Sequence, residues 1–216
     1  MRTDNREALL RGARTCLNQK GYARTRARDV AAAAGVSTSA IGYHFGTTDV
    51  LLVSALLDGL EEWSAQLDAL LQDVPRHPMR ARIAHSWARA VESFAGYRGL
   101  LAASFELIAR ADDDPETQRK LRAAIIGARR ALARQLLGID PTADAEIADQ
   151  AGTFCYALLS GLIVQWLVDP DGLPDPDAVA ATILDSFDPV VEASDHGAAE
   201  NLATDDGCRA DVDVRG

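Results

Sequence analysis

Few side chains in this 216-residue chain are grouped so that they could make or break a covalent bond. His44, His77, His85 and His196 lack metal-ligand spacing, and no carboxylate joins them in a cluster. Cys16, Cys155 and Cys208 are odd in number and contain no C-x-x-C pair. Cys155 stands in an apolar stretch, where a thiol is inert. The run Asp112–Asp113–Asp114 has the form of a helix start, not of paired catalytic acids. Neither a glycine-rich phosphate loop nor a serine elbow is present. No catalytic residue, metal or cofactor is therefore assigned, and an enzymatic reading ranks last. What is grouped is charge. Residues 1–50 hold eight Lys and Arg against four Asp and Glu, a balance of +4, and the remainder holds 14 against 28. A basic head on an acidic body, within a net charge of −10, is the electrostatic pattern of a nucleic-acid-binding module joined to a separate domain.

The head needs elements to present that charge, and its punctuation supplies them. Asp4 and Glu7 have the spacing of a cap and its reciprocating acid. Leu9, Ala13, Cys16 and Leu17 then recur at helical spacing until Gly21. Thr25 is expected to cap a second helix, with Val30, Ala31 and Ala34 on its inner face and Gly35 as its stop. Ser37 is expected to cap a third, through about His44, closed by Gly46. Thr47 or Thr48 opens a long fourth helix to about Leu71. Two short helices joined by a tight turn at Gly35–Val36–Ser37 form a helix-turn-helix. Arg26 and Arg28 fall in the first turn of the second helix and add ionic contacts to an anionic partner.

The order Gly21-Tyr22-Ala23-Arg24-Thr25, Asp29-Val30-Ala31-Ala32-Ala33-Ala34-Gly35-Val36-Ser37, Tyr43-His44-Phe45-Gly46 and Leu51-Leu52 closely resembles the N-terminal domain of TetR/AcrR-family regulators over residues 6–56. The resemblance implies that the third helix enters the major groove of DNA, with Ser37, Thr38, Ser39 and Ala40 nearest the base edges. Hydroxyls can meet several base edges and the Ala40 methyl can pack on a thymine methyl. It also places Thr25, Tyr43, His44, Thr47 and Thr48 at phosphates. Two positions depart from the family pattern. Gly42 stands where most members carry an aromatic residue, and Thr48 where most carry Lys. The first softens the recognition helix and the second removes one ionic phosphate contact.

Past Leu71, Pro and Gly mark five further helices, over about Arg80–Ala95, Leu100–Ala111, Pro115–Leu137, Asp144–Val168 and Pro176–Val191. No segment alternates with period two, so the expectation is an all-α chain of about nine helices. Its divisions are a helix-turn-helix domain at 1–46, a helical regulatory and dimerisation domain at 47–193, and a disordered acidic tail at 194–216. Trp87, Phe94, Tyr97, Phe105, Cys155 and Tyr156 fall on central helices and are candidates to line an effector pocket, although each alone is better explained as plain packing. The helix ending at Val168 is apolar nearly all round, and the last helix carries a stripe. A two-fold dimer is expected on Leu158, Leu162 and Trp166 together with Val179, Ile183, Phe187 and Val190.

No apolar signal-peptide core opens the chain, and Phe154–Val168 is shorter than the ~20 residues of a membrane span. A reduced, cytoplasmic protein with no membrane association is expected. The function these expectations compose is a sequence-specific regulator, by resemblance a repressor, released from a near-palindromic double-stranded operator by a small molecule. The alternative, resting on Gly42 and Thr48, is a ligand-binding or protein-interaction module with a weakened DNA-binding head.

Overall fold

The computed structural model describes residues 2–71, 79–111 and 114–183. Phe187, Val190, Cys208, the end of the last expected helix and the acidic tail at 194–216 lie outside them. Among the described residues the chain is helical and has no strand: α1 (Arg2–Lys20), α2 (Ala27–Ala34), α3 (Ser39–Phe45), α4 (Thr48–Leu71), α5 (Met79–Ile108), α6 (Pro115–Leu132) and α7 (Ala145–Val168). A last helix, α8, is described over 176–183. A π turn, Ala133–Leu137, continues α6 before Gly138.

Two of the nine expected helices are one. Residues 80–95 and 100–111 were divided by Gly96 and Gly99 in the sequence reading, yet α5 runs through both. A glycine stops a helix by turning left-handed. The described glycines that do so are Gly21, Gly35, Gly46 and Gly138, all at expected stops. Gly99 instead buys close approach: a Cβ there would overlap the Asn18 backbone of α1. Burying that α1–α5 contact outweighs the roughly 1 kcal/mol a helical glycine costs.

The caps also differ in detail. Asp4 lies inside the first turn of α1 rather than before it, where its charge still favours the helix dipole. Thr25 does not cap α2. Arg26 is the N-cap, and its backbone N–H donates to the Asp29 carboxylate at 3.1 Å. The N-cap position of α3 is Thr38, one residue after Ser37. Thr47 does cap α4, its hydroxyl accepting from Val50 N–H at 3.2 Å. Asp114 accepts from Glu116 N–H at 3.1 Å ahead of Pro115, and Asp144 from Ile147 N–H at 3.0 Å.

Two cores organise the chain. Leu9, Leu17, Val30 and Ile41 gather α1, α2 and α3 around Leu51 and Leu56 of α4, and Leu100, Ala103 and Leu107 of α5 join the same cluster. The second holds Trp63, Leu67, Phe94, Leu101, Ile163 and Trp166, from α4, α5 and α7. α4 and α5 therefore serve both, and they are the rods along which head and body meet. Arg14 on α1 pairs with Asp58, at 3.4 Å, and with Glu62, both on α4.

Candidate nucleic-acid interface and the cavities behind it

Local sequence makes the reading head. Gly35 adopts φ 65° after α2, and Val36 N–H returns to the Ala31 carbonyl at 3.0 Å, so the chain reverses within a few residues. Val36 and Ile41 turn into the core. That leaves Ser37, Thr38 and Ser39 exposed at the start of α3, with the Ser37 and Ser39 hydroxyls 2.8 Å apart. Ala40 is half-buried and packs against the core, which limits its reach to a partner. One turn on, Tyr43 is 67% exposed and meets His44 edge to face at 4.9 Å. A phenol this exposed on a short helix is aimed at solvent or a partner, since burial would otherwise stabilise it.

The charges around α3 sort into paired and available. Arg11 pairs with Glu7 at 3.8 Å, Arg14 with α4, and Lys20 with Asp29 at 3.0 Å. The Lys20 ammonium, with the Arg26 N–H, holds the Asp29 carboxyl below the usual carboxylate range. Arg26 and Arg28 are exposed and have no ion pair among the described residues. Arg6 lies over the Phe45 ring at 5.3 Å, joining the start of α1 to the end of α3. Thr25 is buried, at 6% exposure, and its hydroxyl donates to the Gly21 carbonyl at 2.7 Å. Only its remaining lone pairs are uncommitted, so a contact there would accept from a donor rather than donate to a phosphate oxygen. Thr47 and Thr48 stand at the start of α4, Thr47 exposed and Thr48 half-buried. The exposed groups of the head are thus hydroxyls, guanidinium groups and a phenol. Such groups offer hydrogen bonds and charge to a polyanion and no bond-making chemistry.

Two cavities stand out among the described residues of the body. The larger, about 500 Å³, lies among α4, α5, α6 and α7, with Leu60, Ser64, Phe105, Ile125, Gln135 and Tyr156 in its walls. The smaller, about 80 Å³, lies behind it and includes Ser86, Trp87, Leu136, Phe154, Cys155 and Leu158. Leu67, Leu132 and Leu159 belong to both walls. Of the six aromatic and thiol candidates, Phe105 and Tyr156 line the first, and Trp87 and Cys155 the second. Phe94 and Tyr97 line neither. Phe94 is fully buried against Trp63 and Trp166, and Tyr97 packs on Trp63. Of the leucines and isoleucines of the walls, Leu158, Leu162 and Ile183 are singled out in sequence only as dimer residues; the others, the serines and Gln135 are not singled out. Their only signal is helical spacing, which they share with every core residue.

The expected dimer residues also divide. Leu162 and Trp166 are buried within the subunit, Trp166 under Arg98 at 5.1 Å. Leu158 and Ile183 line the smaller cavity, and Val179 is half-buried. The apolar face that α7 leaves outside is a different one. Phe154 is 43% exposed, Val164 46% and Val168 84%, and Ala157 and Gly161 complete the same stripe at alternating spacings of three and four. By length and composition α7 could cross a membrane, being longer than the stretch counted in sequence. Here its Ala148, Gly152 and Cys155 face is buried, with α6 and α5 packed on it, as in the core helix of a globular fold.

Residues 9–55 match the family model described as bacterial regulatory proteins, tetR family. Residues 78–189 match the model of the tetracyclin repressor-like C-terminal domain. No curated protein matches in sequence. Among solved structures, a TetR transcription regulator from Haloarcula marismortui is similar with a TM-score of 0.60 and 18% identity, over 86% of this chain and 96% of that one. A transcriptional regulator from a Rhodococcus species has a TM-score of 0.58 and 21% identity, over 84% and 96%. The multidrug binding protein EbrR, solved with imidazole, has a TM-score of 0.58 and 26% identity, over 84% and 88%.

Proposed function

The chain belongs to the tetR family of bacterial regulatory proteins, a family of non-enzymatic DNA-binding transcriptional regulators, and from that membership we propose that it is a cytoplasmic, homodimeric repressor released from a near-palindromic operator by a small molecule. The observation that carries the DNA-binding reading is the exposed edge of α3. Ser37, Thr38 and Ser39 stand at its start, Tyr43 one turn on, and the uncommitted Arg26 and Arg28 beside it. In this reading the hydroxyls meet base edges in the major groove. Tyr43, His44, Thr47 and Thr48 meet phosphates, and Arg26 and Arg28 add ionic contacts. Two subunits pair through α7, along Phe154, Val164 and Val168, so that two α3 helices face successive major-groove turns.

Release is differential binding. One spacing of the two heads fits the operator, and an effector that prefers another spacing lowers DNA affinity by its preference ratio. Cavity and head share α4 and α5, which supports such coupling. Glu106 of α5 accepts from Ala23 N–H at 2.8 Å, and Asn18 Oδ1 of α1 accepts from Gly99 N–H at 3.0 Å. A movement of α5 at the cavity is thereby passed to the turn before α2. That EbrR is described as a multidrug binding protein agrees with a ligand-binding body.

Tyr43→Ala tests the orientation of α3. The variant is expected to bind operator DNA about tenfold less tightly, the loss of one charged-group hydrogen bond, while its dimer and thermal unfolding stay unchanged. Undiminished DNA affinity would contradict the proposed docking.

A further inference from the structure

The walls of the two cavities say what kind of molecule they suit. Among the described residues neither wall contains a Lys or Arg, and the one charged residue in either is Glu61. Glu61 is exposed, at the solvent side of the larger cavity. An anionic ligand would find no counter-charge within, and an acid at the mouth. A cationic ligand would find a carboxylate only where water screens it, and none deeper. The smaller cavity is walled almost wholly by Leu, Ile, Phe and Ala side chains. Burial raises the pKa of its Cys155 thiol, which keeps that wall uncharged too.

Two donors break this apolar surface. The Ser86 hydroxyl, on a residue 2% exposed, and the Trp87 indole N–H are both buried, and among the described residues no acceptor reaches either. Both residues are in the wall of the smaller cavity. Buried donors are ordinarily satisfied, and two adjacent ones left over in an apolar chamber call for an acceptor from outside the fold. The shared Leu67, Leu132 and Leu159 make the two cavities neighbours, and one elongated molecule that lies in the larger would reach the smaller by passing between these side chains.

We propose that these cavities take an uncharged, elongated, largely apolar molecule whose carbonyl, ester or ether oxygen is bound by Ser86 and Trp87. The inference rests on the reading of the cavities as an effector site, and the experiment separates the two.

Three probes with ten-carbon skeletons isolate the charge: 2-decanone, decanoate and decyltrimethylammonium. Each is titrated into the full-length protein by calorimetry, and separately into its complex with labelled DNA from upstream of its own gene. The ketone is expected to bind at least tenfold more tightly than either ion. Trp87→Phe, which keeps an aromatic six-membered ring without the N–H, and Ser86→Ala, which keeps nearly the volume, are each expected to weaken the ketone roughly three- to tenfold with thermal unfolding unchanged. Equal or tighter binding of the ammonium ion would overturn the proposal and move recognition to Glu61. So would tighter binding of decanoate, indifference of ketone binding to both substitutions, or no binding of any probe. Ketone binding with the expected losses but without DNA release would support the ligand class and contradict the effector role.

Discussion

Tyr22 shows what one buried side chain asks of the head. It packs beneath α2 at 8% exposure, and burial, with the nearby Asp49 charge, pushes its phenol up to about 12. The folded value lies above the unfolded value of about 10. The neutral phenol therefore contributes stability that is complete below pH 10 and lost as pH rises towards 12. Denaturant unfolding followed between pH 9 and 11.5 is expected to show the wild type losing more stability than Tyr22→Phe, and parallel losses would refute this placement. At this scale the sequence was legible where a residue acts on its immediate neighbours. Thr47 as a cap and the left-handed Gly35 follow from local chemistry. Thr25 was less so. Its hydroxyl turns back to the Gly21 carbonyl instead of forward to α2, on a residue that the fold buries, and no local pattern encodes that burial.

Helices were legible by their ends, and misread where an end signal served another purpose. Gly96 and Gly99 resemble stops, but Gly99 is the contact at which α5 lies on the Asn18 turn of α1. Gly99→Ala is expected to destabilise the protein by about 1–3 kcal/mol through overpacking, and to weaken DNA binding by displacing α1. The matched Gly96→Ala, at a position with open space around it, is expected to be neutral or stabilising. Equal effects in chemical denaturation would contradict the close-approach role. On α7 the sequence could say that most faces are apolar, not which one stays outside. Trp166 turns inward because Phe94 and Arg98 of α5 meet it, Leu162 joins the same core, and α5 is distant in sequence. The outer stripe is then Phe154, Val164 and Val168. Val164→Glu, which places a charge twice across a two-fold seam, is expected to convert dimer to monomer in light scattering without unfolding the subunit. A dimer of unchanged stability would put the seam elsewhere.

For the whole molecule, charge distribution was the most informative property of the sequence. The net charge of −10 alone argues against a nucleic-acid partner, and only its division between head and body argues for one. The structure refines that division. Lys20, Arg11 and Arg14 spend their charge on Asp29, Glu7 and α4, whereas Arg6, Arg24, Arg26 and Arg28 have no ion pair among the described residues. The cavities were legible only as an expectation that some aromatic residues would line one. A void is defined by what four helices fail to fill, and Leu, Ile and Ser at helical spacing read the same whether they pack or line.

The most direct test of DNA recognition is fluorescence anisotropy of the full-length protein on DNA from upstream of its own and neighbouring genes, against scrambled DNA, at several salt concentrations. Preference for one upstream DNA by ~10³ or more over the scrambled control, with affinity falling as salt rises, is the predicted result. Weak binding, equal on all DNAs and abolished by modest salt, would contradict it and leave the head a basic surface on a ligand-binding body.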